Sequence, residues 1–274
     1  MLKGNTESMD YEQIIYELSQ SGVATLTLNR PQKMNAYTTV MCEEICQALE
    51  VFARDDGQRV LVITGSGKAF CAGGDIPGDF EMAKAASRSL GHAQVMREGF
   101  HAVAQSLYQL EKPAIAMLNG FTIAGGLTLA LLCDFRIASQ DAIIGDTSNA
   151  VGLLPDEGGA WLFPRFMGMD NALRMVMLSE KYSAERALKL GLVTELTSSD
   201  DLRSYTIEFA ARLASRAPIS LRLSKRMMRH ALESSFRNSL DEAQLAVMIS
   251  NESQDAHEGM TSFVERRSPR FIGR

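Results

Sequence analysis

The 274-residue sequence contains only four cysteines, Cys42, Cys46, Cys71 and Cys133. Their spacing fits neither a zinc motif nor a disulfide framework, so no metal site is expected. Cys42 and Cys46 lie at i and i+4 of a predicted helix, the placement of two core thiols. So few cysteines fit a reducing compartment, and a cytoplasmic location is expected. The opening "MLKGNTESMD" lacks the apolar segment of a signal peptide. No apolar run is long and uninterrupted enough to span a bilayer, so no membrane partner is expected. Positive charge is also short, with 28 Lys and Arg against 33 Asp and Glu for a net charge of −5. That balance gives no basis for a nucleic-acid partner. Arg266, Arg267, Arg270 and Arg274 are a local exception that suits a phosphate. Neither GxGxxG nor GxxxxGK[ST] occurs, which argues against a dinucleotide or P-loop site.

What is present is a globular pattern, with 46% hydrophobic residues. "IIYELSQSGVATLTLNRP" reads as two strand-like runs around a Ser-Gly turn, ended by Pro31. Thr38 to Arg54 carries apolar residues at helical spacing. "RVLVITG" and "AIAMLNG" read as buried strands. The stretch 79–97 reads as a mobile helix or loop, and 101–110 as a helix. Strand and helix signals alternate to about residue 197, which gives an α/β protein. Beyond Asp200 the signals are all helical. The expected organisation is a core over residues 10–199 and a helical region over 200–274.

Three glycine-containing turns follow strand-like runs: "FCAGGDI", "NGFTIAGG" and "GLLPDEGG". Glycine permits tight turns and close approach of a ligand to backbone N–H groups. "KAFCAGGDI", "KPAIAMLNGFTIAGG" and "LALLCDFRIAS" together resemble the signature of the enoyl-CoA hydratase/isomerase (crotonase) family. "LTLNRPQKMNAY" and "EGMTSFVERRSPRF" extend the resemblance from about residue 12 to the C-terminus. It implies a spiral of ββα units, a CoA thioester substrate with no separate cofactor, and a homotrimer or dimer of trimers. It also implies an oxyanion hole of two backbone N–H groups, carried onto Ala72 and Gly125. Gly125 would open the "GLTLALL" helix, where free N–H groups and the helix dipole favour an anion. By the same resemblance, Lys33, Cys71, Gly73, Asp75, Ile76, Phe263 and Arg267 sit where the family contacts its substrate.

The sequence departs from a hydratase at both water-holding glutamates. Thr128 and Ser148 occupy those positions and would at most line the pocket, since neither hydroxyl is a base near neutral pH without an activating partner. In "LLPDEGG", Asp156 stands where single-acid isomerases of the family carry their acid. It is the expected catalytic acid/base, with Glu157 expected to be solvated or paired. An apolar lining of Leu153, Leu154, Trp161 and Phe163 would raise its pKa. The expected activity is a double-bond shift on an enoyl-CoA. The alternatives are hydration, ring-epoxide isomerisation, hydrolytic dehalogenation with a nucleophilic Asp156, or an inactive acyl-CoA-binding homologue. His101 is expected to be structural.

Overall fold

The apolar and β-branched runs Ile14–Leu18 (β1) and Val23–Leu28 (β2) pair antiparallel, Ile14 opposite Leu28 and Leu18 opposite Ala24. The computed structural model describes residues 11–19, 21–76, 78 and 91–274. Thr39–Arg54 (α1) follows, N-capped by Thr38, whose side chain accepts a hydrogen bond from the Met41 N–H. Its buried stripe of Met41, Ile45, Ala48, Leu49 and Phe52 has the helical spacing seen in the sequence.

From Val60 one pattern recurs. A strand enters a large sheet, a short strand enters a second sheet, and helix follows. The successive strand pairs are Val60–Gly65 (β3) with Ala69–Cys71 (β4), Ala114–Leu118 (β5) with Phe121–Ile123 (β6), and Phe135–Ser139 (β7) with Ile143–Gly145 (β8). With Lys181–Ser183 (β9) and Glu195–Thr197 (β10), the sheets have the orders β1-β2-β3-β5-β7-β10 and β4-β6-β8-β9. From β2 to β10 the large sheet is parallel. This is the expected spiral of ββα units. Every residue of β3 and β5 is buried, which explains their unbroken apolar sequences.

The described helices between these strands are His92–Glu98 (α2), Phe100–Gln109 (α3), Gly125–Leu132 (α4), Gly159–Met167 (α5), Met169–Leu178 (α6) and Ala184–Lys189 (α7). Most of the stretch predicted as a mobile helix or loop, residues 79–90, lies outside the described residues. The fully buried α4 threads between the two sheets and has no polar face.

The last 73 residues carry Leu202–Ala214 (α8), Pro218–Ala231 (α9), Phe236–Asn251 (α10) and Gln254–Glu265 (α11). Leu202, Ala210 and Ala214 of α8 join Val23, Val60, Val62, Ile115 and Ile137 in a second apolar cluster. The first helix of the 200–274 region is therefore part of the core. An ion cluster ties α9 to the core. The Asp134 carboxylate accepts from Lys225 Nζ at 2.7 Å, Arg229 Nη2 at 3.0 Å and the Ala114 N–H at 2.8 Å. Past that anchor Leu232, Phe236, Leu245, Met248, Phe263 and Val264 are mostly exposed.

Candidate active site

Two turns meet at the start of α4. The first is set by residues 30–37. Buried Asn35 donates from its side chain to the Ser66 and Ala69 carbonyls at 2.9 and 2.8 Å and accepts from the Arg30 N–H at 2.9 Å. That fixes the loop against the β3–β4 connection. The Ala72 N–H then donates to the Met34 carbonyl at 3.1 Å, the Tyr37 N–H to the Gly73 carbonyl at 2.9 Å, and the Asp75 N–H to the Tyr37 carbonyl at 2.9 Å. Arg30 pins the far end through Asp75 at 2.8 Å.

This pattern corrects one predicted donor. The Ala72 N–H is already used by Met34. A trans peptide places its C=O and N–H on opposite sides. The Gly73 carbonyl points to Tyr37, so the Gly74 N–H points away from that strand. Among the described residues the Gly74 N–H has no acceptor.

The second turn ends at Ala124, which has φ 51° and ψ −122°, a region that strains a residue bearing a Cβ. Its N–H is held by the Gly145 carbonyl at 3.0 Å. The N–H of Gly125, the first residue of α4, has no acceptor among the described residues. A Cβ built on Gly73 would lie 3.2 Å from Ala124 Cβ and 3.8 Å from the Gly125 nitrogen, so the two turns are in contact. Gly74 and Gly125 thus each leave an N–H free in two contacting turns, one of them at a helix start, an arrangement suited to a developing oxyanion.

The adjacent acids are placed in the reverse of the expected order. Asp156 is exposed, whereas Glu157 is only 6% exposed. Its Oε1 accepts from the Tyr37 hydroxyl at 3.0 Å, and its Oε2 is buried with no partner. A Cβ on Gly125 would come within 2.8 Å of Glu157 Oε1 and 2.6 Å of Tyr37 Cε1, which leaves room for glycine alone. Burial pushes the Glu157 carboxyl up to about 7; its own backbone N–H and the Tyr37 hydroxyl oppose this by hydrogen bonding, while the like charges of Asp156 and Asp146 add to it. The predicted apolar lining of Asp156 is only partly present, because Leu153 and Leu154 are exposed while Phe163 is buried.

Two features flank Glu157. The His101 Nε2 lies 2.8 Å from the Asp156 carbonyl. A carbonyl only accepts, so that nitrogen carries the proton, and His101 holds the turn as a structural residue would. Asp146, fully buried, accepts from the Ser148 N–H at 2.9 Å through Oδ1, while its Oδ2 has no partner. Burial raises its pKa too. The Thr128 hydroxyl is likewise buried without a partner, and its methyl lies 3.6 Å from a Cβ built on Gly158.

The other expected substrate contacts scatter. Cys71 is fully buried beneath the turn, with its thiol pushed up to about 12 by burial. The Asp75 carboxylate is engaged by Arg30. Gly73 is buried at φ 98° and shapes the turn, while Ser148 is buried behind Asp146. Lys33, Ile76 and Phe263 are exposed. Arg267 is not a free cation. Its guanidinium pairs with Glu258 at 2.6 and 2.8 Å and with Glu265 at 2.6 Å. Sequence reasoning missed Gly74, Tyr37, Asp146 and the burial of Glu157. The Gly73-Gly74 pair was a visible signal, but nothing in the sequence joins Tyr37 to a residue 120 positions away.

Comparisons with known proteins place the chain in a family. Residues 18–274 match a protein-family model described as enoyl-CoA hydratase/isomerase. A probable enoyl-CoA hydratase of Rhodobacter capsulatus is 36% identical over 97% of this chain and all of its own length. A 1,2-epoxyphenylacetyl-CoA isomerase of Escherichia coli K12 is 32% identical over 93% of this chain and 97% of its own. The crystal structure of an enoyl-CoA hydratase from Bacillus anthracis superimposes with a TM-score of 0.90 at 29% identity, covering 96% of this chain and all of that one. On the paired strands, the two glycine turns and a match over nearly its whole length, the chain belongs to the enoyl-CoA hydratase/isomerase family.

Proposed function

We propose that this protein is an enoyl-CoA isomerase in which Glu157, rather than Asp156, moves the proton. The observation that carries the reading is a buried carboxylate, its pKa raised to about 7 by burial, beside Gly125, whose N–H is free among the described residues. The positions of the two hydratase glutamates hold Thr128 and Ser148. The thioester carbonyl oxygen sits between the two N–H groups. Ionised Glu157 removes a proton from the carbon next to the carbonyl, and the electrons move to the carbonyl oxygen as a dienolate. The buried acid becomes neutral as charge appears at the hole, so the site carries one negative charge throughout. The protonated Glu157 then returns the proton two carbons along, which shifts the double bond. Losing one N–H donor in such a hole typically costs about 3 kcal/mol of transition-state stabilisation. Coenzyme A belongs to the substrate, and no separate cofactor enters the reaction.

A second reading rests on Asp146. Two buried carboxylates, Asp146 and Glu157, each keep an oxygen without a partner. Such a pair can hold and split a water, which would rebuild hydration from positions other than Thr128 and Ser148. Assaying trans-3-hexenoyl-CoA and crotonyl-CoA side by side separates the two. Isomerisation of the first, lost in Glu157→Gln and retained in Asp156→Asn, supports the first reading. Rapid hydration of the second, lost in Asp146→Asn, supports the other. An ester adduct trapped on Asp156 would overturn both.

The same proposal covers assembly. The exposed apolar residues of α10 and α11, Phe236, Leu245, Met248, Phe263 and Val264, favour self-association into the trimer or dimer of trimers that the family resemblance implies.

A further inference from the structure

Tyr37 touches both turns and Glu157. Its backbone bridges the first turn, accepting from the Asp75 N–H and donating to the Gly73 carbonyl at 2.9 Å each. Those two bonds aim the Gly74 N–H. Its ring edge lies 2.6 Å from where a Cβ on Gly125 would be, so it fills the space beside the second donor. Its hydroxyl donates to Glu157 Oε1 at 3.0 Å. The ring is itself held, packed against Phe100 at 4.6 Å between centroids. Left-handed Met34 and Asn35, with φ of 48° and 55°, turn the chain so that Tyr37 reaches this place just before Thr38 caps α1.

We propose that Tyr37 is the positioning residue of the reaction, locking the Glu157 carboxylate in fixed relation to the Gly74 and Gly125 N–H pair. The inference rests on the reading of Glu157 as the acid/base. Glu157 Oε2 has no side-chain partner among the described residues, so besides Glu157's own backbone N–H the Tyr37 hydroxyl is the group that fixes the carboxylate's orientation. The hydroxyl also favours the ionised form, because it donates to the charge. Its backbone and its side chain therefore couple the hole to the acid through one residue. Displacing either arm misaligns the base against the carbon it must reach, and small misplacements are costly in such steps.

The test is Tyr37→Phe, which keeps the ring and its contacts and removes only the hydroxyl. The readout is kcat/KM for trans-3-hexenoyl-CoA, with deuterium exchange at its α-carbon, from pH 5.5 to 9.5. In the parent protein the rate rises with pH as Glu157 ionises. In the variant that limb should move up by about one to two pH units, the worth of a hydrogen bond to a charged group. Below pH 7 the loss should be about ten- to a hundredfold with KM little changed, and it should narrow towards pH 9. A merely structural role gives a loss that does not depend on pH, and that result overturns the proposal. If Glu157→Gln retains full activity, the acid assignment itself is wrong. If Glu157→Gln is inactive and the Tyr37→Phe profile overlays the parent, Tyr37 alone has been misassigned. Site-specific 3-fluorotyrosine at position 37 gives a second measurement that keeps the fold. Its more acidic phenol is a stronger donor, so the limb should move to lower pH, and an unmoved limb also overturns the proposal.

Discussion

Replacing Glu157 by Gln should stabilise the protein at high pH while it removes activity. The carboxyl titrates near 7 in the folded chain against 4.5 when free, and burial is the largest cause. A carboxyl with a raised folded pKa binds its proton more tightly when folded. The stability it supports is therefore complete below about pH 4.5 and is lost as pH rises to about 7. At about 1.36 kcal/mol per pKa unit, the ionised acid costs the folded state on the order of 3 kcal/mol at pH 8. Gln keeps the shape and accepts the Tyr37 hydroxyl through its amide oxygen. It carries no charge to desolvate, although its amide still has to be accommodated where Oε2 has no partner. Urea unfolding at fixed protein concentration, at pH 5 and pH 8.5, gives the difference between the two proteins. That difference should grow in favour of Gln by about 2–3 kcal/mol between the two pH values. In parallel, kcat should fall by on the order of 10²–10⁴-fold. A stability difference that does not change with pH would mean that Glu157 titrates normally and is not a desolvated acid. Greater stability with full activity would mean that it titrates as described but takes no part in the chemistry.

Gly125→Ala should lower kcat more than it raises KM, because the new methyl must displace Tyr37 Cε1 and Glu157 Oε1 from 2.6 and 2.8 Å. It should also cost about 1–3 kcal/mol in urea unfolding, and a variant with parent-like kcat would show that the hole has slack. Asp134→Ala leaves Lys225 and Arg229 without their shared partner. It should destabilise by about 3 kcal/mol and speed hydrogen exchange in Pro218–Ala231 before the sheets, whereas uniform exchange would show that the cluster is not the anchor of that helix. Sedimentation should give three chains per particle, or six. Glu at both Phe236 and Met248, which are exposed here, should reduce that number; a monomeric parent protein would remove the assembly proposal.

The architecture was legible because its signals are local and repeated. The unbroken apolar runs of β3 and β5 could only be strands buried on both faces. The period of α1 survives in its buried stripe. The site was legible as a place but not as a set of atoms: the free N–H lies two residues beyond the predicted Ala72, and the buried carboxyl one residue beyond Asp156. Along the first turn, the difference between Ala72 and Gly74 is which way each peptide plane faces. That is settled by the Met34 carbonyl, which accepts from the Ala72 N–H, and the Tyr37 N–H, which donates to the Gly73 carbonyl; both come from a separate stretch of chain.

Asp156 and Glu157 differ in the same way. Neighbouring residues of a turn point in different directions, and the turn's orientation is set from outside it. Gly158, at φ 114°, lets the chain enter α5. His101 holds the Asp156 carbonyl from α3, and the Tyr37 hydroxyl holds the Glu157 carboxylate from the loop before α1. Each constraint is a single hydrogen bond across a long sequence separation, with no periodicity to announce it. Burial follows from those bonds, and the raised pKa follows from burial. Which of the two carboxyls is buried is therefore a tertiary property. The dipeptide "DE" supplies two equivalent candidates, and the fold distinguishes them by desolvating one.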